Sequence, residues 1–576
     1  MGKNKLNWKI GGKAGYGIMT VGEMFSRMFS RGGYYVHAHV EYPSLIRGGH
    51  NTFQIRVDDQ PVHAPIEPID LLVALDKNTA DFYINKIVSA GGIIYDADQI
   101  KVDEDRDDII WYHVPMNKLI TDLKLPKVTE NIISMGASVA VLGYDLNMLN
   151  AVLEKQFGEK GEKVLEPNIT AALAGYNYIR DNYPEPFKIQ LSPIKKADRM
   201  TLTGNDAICM GAIKAGMKFI AIYPMTPAHT IMTYVAAQAV KYGITMVQPE
   251  DEIAGINMAV GASFAGVRSM VATSGGGFSL MTEGLGLAGM TENPLVIVEG
   301  QRPGPSTGLA TRTAQSDLRF LLHASQGEFL RILVAPGDPE ECFYETFNAF
   351  NLADQFQTPV FVLTDKHLAT SFYSADKFDT AGLVIDRGCM LKDDEIPHDF
   401  KRYQWTESGV SPRTIPGQAG GIFESNSDEH DETGYVSEQA AVVSMLVDKR
   451  CRKYFTAAKV IEGIKFYGSK RSPTVLVGWG STKGAILDAM TMLKEQNGID
   501  VGFLQVLYMS PFPTEKVRES LANKGKIILI ENNYSAQLGS LLKEHVHVRP
   551  HHKIMKYDGR TFNADELYLR LKEVMR

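Results

Sequence analysis

The chain has 576 residues, of which 44% are hydrophobic and 22% are charged, a composition typical of a globular protein with three or four domains. Its formal net charge of −7 argues against nucleic-acid binding, which requires a basic surface. The N-terminus shows no apolar signal segment, and no run of about 18 apolar residues occurs, so we expect a cytoplasmic chain without a membrane span.

The cysteines are widely separated in the sequence, at Cys209, Cys342, Cys389 and Cys451. None belongs to a CxxC pair, the spacing typical of many zinc and iron–sulfur sites. We therefore expect reduced cysteines, and neither a structural zinc site nor an iron–sulfur cluster bound by this chain.

The first predicted domain, residues 1–185, is α/β and begins with a glycine-rich loop. An apolar segment enters the loop, and apolar residues near a 3.6 period predict a helix after it. The glycines of the loop are Gly11, Gly12, Gly15 and Gly17. Such a loop either binds phosphate through backbone N–H groups or is a plain tight turn. A second glycine-flanked loop, with Arg47, Gly48 and Gly49, favours an anionic ligand or a partner surface.

The rest of this domain is less informative about function. His37 and His39 alternate as on a strand, and we expect surface histidines rather than a metal pair. The apolar runs at residues 70–76 and 91–96 predict buried parallel strands, and residues 131–143 predict a helix rich in small residues. Prolines and lysines in residues 186–199 predict a linker.

The second predicted domain, residues 200–371, alternates strand, loop and helix. Its strands are predicted at residues 218–223, 269–273, 294–300 and 359–365. The loops that follow are rich in Gly, Pro, Ser and Thr. Since ligands bind beyond the carboxyl ends of the strands in open parallel sheets, these loops predict one shared site. Arg312 follows the third loop and could pair with an anionic substrate group.

In the same domain, Glu250-Asp251-Glu252 precedes a helical segment rich in glycine and alanine. Acidic residues at a helix start complement the helix dipole and are common for that reason alone. Glycines inside a helix cost about 1 kcal/mol each relative to alanine. We therefore expect another backbone or a flat ligand to approach this helix, which makes a carboxylate here a candidate for chemistry.

The remaining sequence comprises an irregular region and a last α/β domain. Residues 372–472 show little apolar periodicity and predict a long excursion between domains. Residues 473–576 form the last domain, with strands predicted at 474–481, 501–507 and 526–533. The spacing of His545, His547, His551 and His552 does not favour a metal site.

Several stretches of the second domain resemble the α subunit of 2-oxoacid:ferredoxin oxidoreductases. They are Tyr223-Pro224-Met225-Thr226-Pro227, EDEIAGINMAVGASFAG, TSGGGFSLMTEGLGLA and GPSTGLATRTAQSDL. The order of parts, a γ-type domain, an α-type domain and a transketolase C-terminal-like domain, is most similar to the fused α subunit of 2-oxoglutarate:ferredoxin oxidoreductases. The resemblance implies a thiamine diphosphate enzyme whose α chain supplies a pyrimidine-binding domain with a doubly wound parallel sheet.

The resemblance also implies roles for individual residues. Glu252 becomes the activating glutamate, with Glu250 and Asp251 as alternatives, because a carboxylic acid against the aminopyrimidine ring favours its imino form. The substrate-binding residues would be Thr226, Arg312 (for the 2-oxoacid carboxylate), Tyr223, Ser306 and Thr307. The cofactor would also contact Pro224, Gly275, Gly276 and Gly277. Coenzyme A contacts or docking would involve Gly11, Gly12, Gly15, Gly17, Arg47, Gly48 and Gly49.

The sequence contains neither a GDG…N motif for diphosphate and Mg²⁺ nor a cysteine set for a cluster. The resemblance therefore implies a separate β subunit that carries Mg²⁺ and a [4Fe-4S] cluster and completes the active site. It further implies ferredoxin as electron acceptor, coenzyme A as acyl acceptor and a dimer of αβ pairs. The sequence SGGG at residues 274–277 departs from the SGPG of the family without removing a functional group.

The implied reaction is the oxidative decarboxylation of 2-oxoglutarate to succinyl-CoA, CO₂ and reduced ferredoxin, or its reverse. An α subunit acting on pyruvate, branched-chain or aryl 2-oxoacids would carry the same motifs. A non-catalytic binding or scaffold subunit is a further alternative. A transketolase-like transferase is disfavoured because no diphosphate-binding half is visible in the sequence.

Overall fold

The computed structural model describes residues 4–43, 49–103, 105–194 and 199–575. The chain divides into two compact units. The first comprises Met1–Thr203, Ser371–Lys377 and Phe562–Glu573, and the second comprises Gly204–Thr370, Phe378–Thr561 and Val574–Arg576. Among the described residues, no helix is long and apolar enough to cross a membrane.

The first unit is built mainly from elements between residues 6 and 202. The strands in this span are β1 (Leu6–Lys13), β2 (Tyr35–Glu41), β3 (His50–Asp58), β4 (Ile69–Ala74), β5 (Ile87–Tyr95), β6 (Ile110–His113) and β7 (Met200–Leu202). The helices are α1 (Ile18–Arg31), α2 (Lys77–Tyr83), α3 (Met116–Asp122), α4 (Glu130–Val141), α5 (Leu146–Phe157) and α6 (Glu162–Asn182).

The second unit begins with elements between residues 204 and 370. The strands are β8 (Phe219–Ala221), β9 (Thr245–Val247), β10 (Ser269–Thr273), β11 (Leu295–Gln301), β12 (Ile332–Val334) and β13 (Pro359–Asp365). The helices are α7 (Gly204–Lys214), α8 (His229–Tyr242), α9 (Glu252–Phe264), α10 (Gly275–Met290), α11 (Leu318–His323), α12 (Pro339–Phe356) and α13 (Lys366–Thr370).

The elements beyond residue 371 belong to both units. β14 (Phe372–Ala375) and α18 (Ala564–Met575) lie in the first unit, apart from the last residues of α18. The strands of the second unit are β15 (Ile464–Gly468), β16 (Thr474–Gly478), β17 (Gly502–Val506), β18 (Tyr508–Ser510), β19 (Lys526–Glu531) and β20 (His552–Met555). Its helices are α14 (Ala440–Val460), α15 (Thr482–Asn497), α16 (Thr514–Leu521) and α17 (Gln537–Val546).

The first unit contains a mixed sheet in the order β6-β5-β4-β1-β3-β2-β14-β7. Strands β6, β5, β4 and β1 pair in parallel, and the remaining pairs are antiparallel. Trp8 and Phe25 are fully buried in the core, with ring centroids 4.6 Å apart. Gly136 of α4 and Gly175 of α6 let these helices pack closely, because a Cβ at either position would meet a backbone carbonyl of the other helix.

The second unit contains two sheets. In the larger sheet the strands lie in the order β18-β12-β13-β11-β10-β8-β9, and every neighbouring pair is parallel except β18 with β12. In the smaller sheet the order is β15-β17-β16-β19-β20, and every pair is parallel except β15 with β17. The predicted α/β class with parallel sheets is therefore confirmed. The strands predicted at residues 269–273 and 359–365 coincide with β10 and β13. Strand β18 comes from the C-terminal region, so that region completes the edge of the larger sheet.

Residues 378–439, which we call the strap, have little regular structure. They belong to the second unit and pack on the rest of it through an ion cluster. The carboxylate of Asp354, on α12, is the negatively charged group of this cluster. Arg268 contacts the Asp354 carboxylate at 2.9 Å and Arg387 of the strap contacts it at 3.0 Å. Arg413, also of the strap, lies 3.6 Å from the other carboxylate oxygen. The strap is thus anchored in the interior of the unit by charge.

A second buried ion cluster anchors helix α14. The Glu292 carboxylate lies 2.5 Å from the Nζ atoms of both Lys449 and Lys453, and all three side chains are buried. Arg402 of the strap donates a 2.9 Å hydrogen bond to the backbone carbonyl of Glu292. The sequence analysis missed α14 within the region 372–472, because its buried face carries lysine and arginine where a core helix ordinarily carries apolar residues.

Candidate active site

The Glu250-Asp251-Glu252 triplet stands where the chain enters α9, and each carboxylate has a different environment. Glu250 is exposed. Asp251 is the N-cap residue, and its side chain accepts a 2.9 Å hydrogen bond from the backbone N–H of Ala254. Glu252 is the first residue of the helix and is only 3% exposed. The three acids are therefore a solvated residue, a helix cap and a buried carboxyl group.

The buried Glu252 side chain lies against the first turn of α10. A Cβ at Gly277 would overlap with Glu252 Oε1 and with Thr273 Oγ1, and it would lie 2.9 Å from Glu252 Cδ. Only glycine at this position lets the carboxyl group lie so close to the α10 backbone. The close approach expected for the glycines of α9 is absent within this unit: nothing lies within 4 Å of a Cβ at Gly261, and Gly255 makes only ordinary contacts.

Glu252 carries an unsatisfied polar atom. Within the described residues, no hydrogen-bond donor reaches its Oε1. Burial raises the pKa of Glu252 above its usual value, opposed by a backbone hydrogen bond and assisted by the negative charge of Asp251. A buried carboxyl oxygen without a partner in the chain is a candidate contact for a ligand atom.

The loops that follow β8 and β11 meet near the same turn. Arg302 donates a 2.9 Å hydrogen bond from Nη1 to the backbone carbonyl of Thr226, which joins the two loops. The backbone oxygen of Ser306 lies 3.9 Å from where a Cβ of Gly276 would stand. The structure thus places Thr226, Ser306 and the glycines of α10 at the carboxyl edge of the larger sheet, where the first turn of α10 also contacts Glu252.

The other predicted pocket residues lie in these same loops. Tyr223 and Thr307 are exposed, as is Pro224. Arg312 is half-buried, and its backbone N–H donates a 3.0 Å hydrogen bond to the carbonyl of Leu309. No measured contact joins Tyr223, Thr307 or Arg312 to Glu252, so their roles stay predictions.

Three charged residues at this edge were missed by the sequence analysis: Arg302, Glu299 and Asp317. Glu299 lies near the end of β11 and is completely buried. The Asp317 carboxylate approaches Gly275, whose Cβ would lie 2.5 Å from Asp317 Oδ2. A charged residue at the carboxyl end of a buried apolar strand is the signal that could have identified Glu299.

In the first unit, the structure brings the two glycine loops together. The backbone N–H of Ala14 donates a 3.3 Å hydrogen bond to the carbonyl of Gly49. Gly15 and Gly17 have φ of 94° and 69°, which a tight turn requires and which only glycine adopts easily. Arg47 and Gly48 lie outside the described residues. The predicted contacts of Gly11, Gly12, Gly15, Gly17 and Gly49 with coenzyme A or a partner stay predictions.

The histidines singled out in the sequence have structural surroundings. His37 is buried and its ring packs edge-on against Tyr373 at 4.8 Å, so the expectation of a surface residue is wrong here. His545 stacks on Phe512 at 4.6 Å, and His551 Nδ1 accepts a 2.9 Å hydrogen bond from the backbone N–H of Ile527. In the part of the chain that the structure describes, no group of three or more His, Cys, Asp or Glu side chains is placed to hold a metal ion.

Family models match most of the chain in three blocks. They are Pyruvate ferredoxin/flavodoxin oxidoreductase over residues 7–178, Pyruvate flavodoxin/ferredoxin oxidoreductase, thiamine diP-bdg, over residues 210–449, and Pyruvate:ferredoxin oxidoreductase core domain II over residues 473–567. A 2-oxoacid:ferredoxin oxidoreductase subunit alpha from Sulfolobus sp is 35% identical, over 99% of this chain and 97% of the relative. The chain belongs to the 2-oxoacid:ferredoxin oxidoreductase alpha-subunit family.

Other relatives of this alpha subunit carry more specific names. A 2-oxoglutarate oxidoreductase subunit KorA from Mycobacterium tuberculosis is 27% identical, over 97% of this chain and 90% of the relative. The solved structure of 2-oxoglutarate:ferredoxin oxidoreductase from Magnetococcus marinus, with 2-oxoglutarate, coenzyme A and succinyl-CoA bound, is 30% identical and matches with a TM-score of 0.93 over 100% of both chains. This alpha subunit is therefore part of an oxidoreductase that acts with a partner subunit.

A thiamine diphosphate-binding domain is present at residues 210–449 of this alpha subunit. Its residues fit the aminopyrimidine half of the cofactor. Glu252 offers a buried carboxyl group whose Oε1 has no donor or acceptor partner among the described residues, and Gly277 leaves room for it beside the α10 backbone. A protonated carboxyl group can donate a hydrogen bond to a ring nitrogen, whereas a solvated carboxylate cannot.

Proposed function

We propose that this chain is the alpha subunit of a 2-oxoglutarate:ferredoxin oxidoreductase, which forms succinyl-CoA, CO₂ and reduced ferredoxin with coenzyme A or runs the reverse reaction. The observation that carries the proposal is the buried Glu252 carboxyl group at the first turn of α10. The 2-oxoglutarate assignment is supported by the Magnetococcus marinus structure, whose name includes 2-oxoglutarate and succinyl-CoA. The free state of all four cysteines supports a cytoplasmic location.

In this proposal Glu252 holds a proton for the aminopyrimidine ring. Bound thiamine diphosphate supplies a nucleophilic carbon and an electron sink for cleavage of the bond between the keto carbon and the carboxylate of the 2-oxoacid. Glu252 donates its proton toward the ring nitrogen, and burial, which raises its pKa above the usual value, favours the proton-carrying form. Gly276, which is exposed, gives the ring a surface without a side chain, whereas Gly275 and Gly277 leave room for the carboxyl groups of Asp317 and Glu252.

The substrate residues act from the loops on the other side of the turn. Arg312 binds the carboxylate adjacent to the keto group through a charge-assisted fork. Thr226 donates its hydroxyl to the substrate, and Arg302 fixes the Thr226 backbone. Tyr223, Ser306 and Thr307 line the pocket. Mg²⁺, a [4Fe-4S] cluster and the diphosphate-binding residues belong to a β subunit, and two αβ pairs form the complex.

A related candidate is an alpha subunit that accepts a wider range of 2-oxoacids. The name of the Sulfolobus relative, which is 35% identical, specifies only a 2-oxoacid. A site built to bind the second carboxylate of 2-oxoglutarate contains a cation for that carboxylate. Pyruvate has only one carboxylate, so its binding would leave this cation buried and unpaired and would be strongly disfavoured. The non-catalytic scaffold alternative is not retained, since the chain belongs to an enzyme family over its whole length.

The decisive experiment uses this chain co-expressed with a β-type partner subunit. Viologen reduction with coenzyme A would be measured with 2-oxoglutarate, pyruvate, and branched-chain and aryl 2-oxoacids. We expect kcat/KM for 2-oxoglutarate to exceed that for pyruvate by about 100-fold or more. Equal values would refute the substrate assignment, and no activity with any 2-oxoacid would refute the proposed reaction.

The same assay tests the assigned glutamate with a control from its own triplet. We expect Glu252→Gln to lower kcat by about 100-fold or more, because the amide cannot transfer a proton. Glu250→Gln changes an exposed carboxylate two residues away and should keep activity within about threefold. Equal losses in both variants, with the complex still assembled, would move the role away from Glu252.

A further inference from the structure

Two acidic side chains share the interior behind the candidate active site. Glu299 and Gln301 alternate with Gly300 along β11 and therefore point to one face of the sheet. The Gln301 amide oxygen accepts a 3.0 Å hydrogen bond from the backbone N–H of Asp317, which places the Asp317 loop on that face. Glu299 and Asp317 each shift the pKa of the other, which requires their carboxyl groups to be close together. The fold thus brings together an acid of β11 and an acid of the loop before α11.

This pair requires a proton to be stable. Glu299 is completely buried, and among the described residues no N–H or hydroxyl group donates to either of its carboxyl oxygens. Two carboxylates in contact without such donors cannot both be ionised, so one shares the proton of the other. Burial and the charge of Asp317 raise the pKa of Glu299 well above its usual value, whereas burial raises that of Asp317 only to about 6.

The charged residues around the pair are one further acid and one arginine. The pair therefore provides negative charge for that arginine. Asp365, at the end of β13, faces the pair as a third acid and accepts hydrogen bonds from Thr313 Oγ1 and the backbone N–H of Leu368. Arg302 is the cation that lowers the pKa values of Glu299 and Asp317. The guanidinium of Arg302 also donates to the carbonyl of Thr226. Arg302, which joins the two substrate loops, is therefore near enough to the pair to interact with it through charge.

The pair also touches the cofactor side of the site. The Asp317 carboxylate lies against Gly275, the first residue of α10. Glu299 stands beside Thr273 in the parallel register of β10 and β11, and neighbours in register point to the same face. Thr273 Oγ1 and Glu252 Oε1 both approach Gly277. The pair of Glu299 and Asp317 thus lies behind the first turn of α10, which the Glu252 carboxyl group contacts.

We propose that Glu299 and Asp317 share one proton and act as positioning residues, which hold Arg302 on the Thr226 carbonyl and the first turn of α10 in register with Glu252. The proposal rests on the proposed function, because Thr226 and Glu252 are assigned there. Glu299 serves as the hydrogen-bond donor of the pair and Asp317 as the carboxylate that faces Arg302. Neither residue touches the substrate.

The test separates hydrogen bonding from packing by two substitutions at one position. In the αβ complex, Glu299→Gln keeps the shape and a donor to Asp317, whereas Glu299→Leu keeps the volume but leaves the Asp317 carboxylate without its donor. We expect Glu299→Gln to keep KM for 2-oxoglutarate within about threefold of wild type. We expect Glu299→Leu to raise KM about tenfold or more, because a misplaced loop costs binding and orientation.

A double-mutant cycle tests the route through Arg302. If the pair acts on that arginine, Glu299→Leu should change KM by less than about twofold in an Arg302→Gln background. Glu345→Leu provides the matched control, since Glu345 is a half-buried acid with a hydroxyl partner, Tyr508 Oη at 2.6 Å. That variant should lower the urea midpoint without a change in KM.

Two outcomes would overturn the proposal. One is that Glu299→Gln and Glu299→Leu alter KM equally, and the other is that Glu299→Leu raises KM as much with Arg302→Gln as without it. Thiamine diphosphate affinity of the complex, measured by calorimetry, gives a readout independent of turnover, and we expect it to fall about tenfold in Glu299→Leu alone. If the wild-type complex turns over no 2-oxoacid, the proposed function fails, and this affinity still decides the role of the pair.

Discussion

The contact between Glu252 and Gly277 can be tested by adding one methyl group. In Gly277→Ala the new Cβ would stand 2.9 Å from Glu252 Cδ and closer still to Glu252 Oε1 and Thr273 Oγ1. Carbon atoms prefer about 3.5–4.0 Å, so the Glu252 carboxyl group must move by roughly 0.6–1.1 Å. Since a displacement of about 1 Å costs on the order of 100-fold in rate, we expect kcat/KM to fall about 100-fold.

The stability change in this variant should be small by comparison. Overpacking costs about 1–3 kcal/mol, and replacing a helical glycine with alanine returns about 0.5–1 kcal/mol of it. The assay is 2-oxoglutarate-dependent viologen reduction by the αβ complex, with urea unfolding of the same preparation. Gly261→Ala on α9 is the control, because nothing lies within 4 Å of its Cβ. If Gly277→Ala stayed within threefold of this control, the carboxyl group at α10 would not be the one that acts on the cofactor.

Three further predictions concern charge. Arg312→Lys keeps the cation but not the two-pronged geometry, so KM for 2-oxoglutarate should rise about tenfold in steady-state assays; an unchanged KM would remove Arg312 from the carboxylate site. Asp354→Ala leaves Arg268 buried without its carboxylate partner and should lower the free energy of unfolding by about 3–5 kcal/mol in urea titrations, whereas Asp448→Ala, at an exposed pair, should change it little. Burial opposes ionisation of Glu292, but the lysines of α14 outweigh it and hold its pKa well below the usual 4.5. Its contribution to stability is therefore complete above about pH 4.5 and is lost at lower pH, so wild type should lose more stability than Glu292→Gln between pH 7 and pH 3; equal losses would contradict this assignment.

The strands that carry the candidate site were predictable because they are buried on both faces. Ser269–Thr273 and Pro359–Asp365 are largely apolar runs that end in Thr and Asp, and the observed strands have the same bounds. Within the acidic triplet, sequence alone left three carboxylates open. Their environments differ through tertiary packing, because Glu252 turns inward at the helix start whereas Asp251 turns back to cap it.

Other features could not be read from the sequence because distant residues create them. Glu299 and Asp317 become a pair only when the loop before α11 folds back on β11. The face of α14 that packs on the unit includes Lys449 and Lys453, whose acceptor Glu292 is more than 150 residues earlier. A helix whose inner face is charged shows no apolar period in its sequence. Periodicity therefore does not predict α14, which is stabilised by the pairing of its lysines with Glu292.

The acidic surroundings of α10 bear on how the subunits stay together. The positive end of a helix ordinarily attracts an anion, but at α10 two acids of this chain, Glu252 and Asp317, already occupy that end. A diphosphate placed there would meet the negative charge of Asp317, whereas a neutral aromatic ring would not be repelled. In the proposed complex, the ring would therefore bind to this chain and the diphosphate to the partner subunit. Retention of the cofactor and cohesion of the complex then become linked equilibria, and dilution that separates the subunits should also release the cofactor.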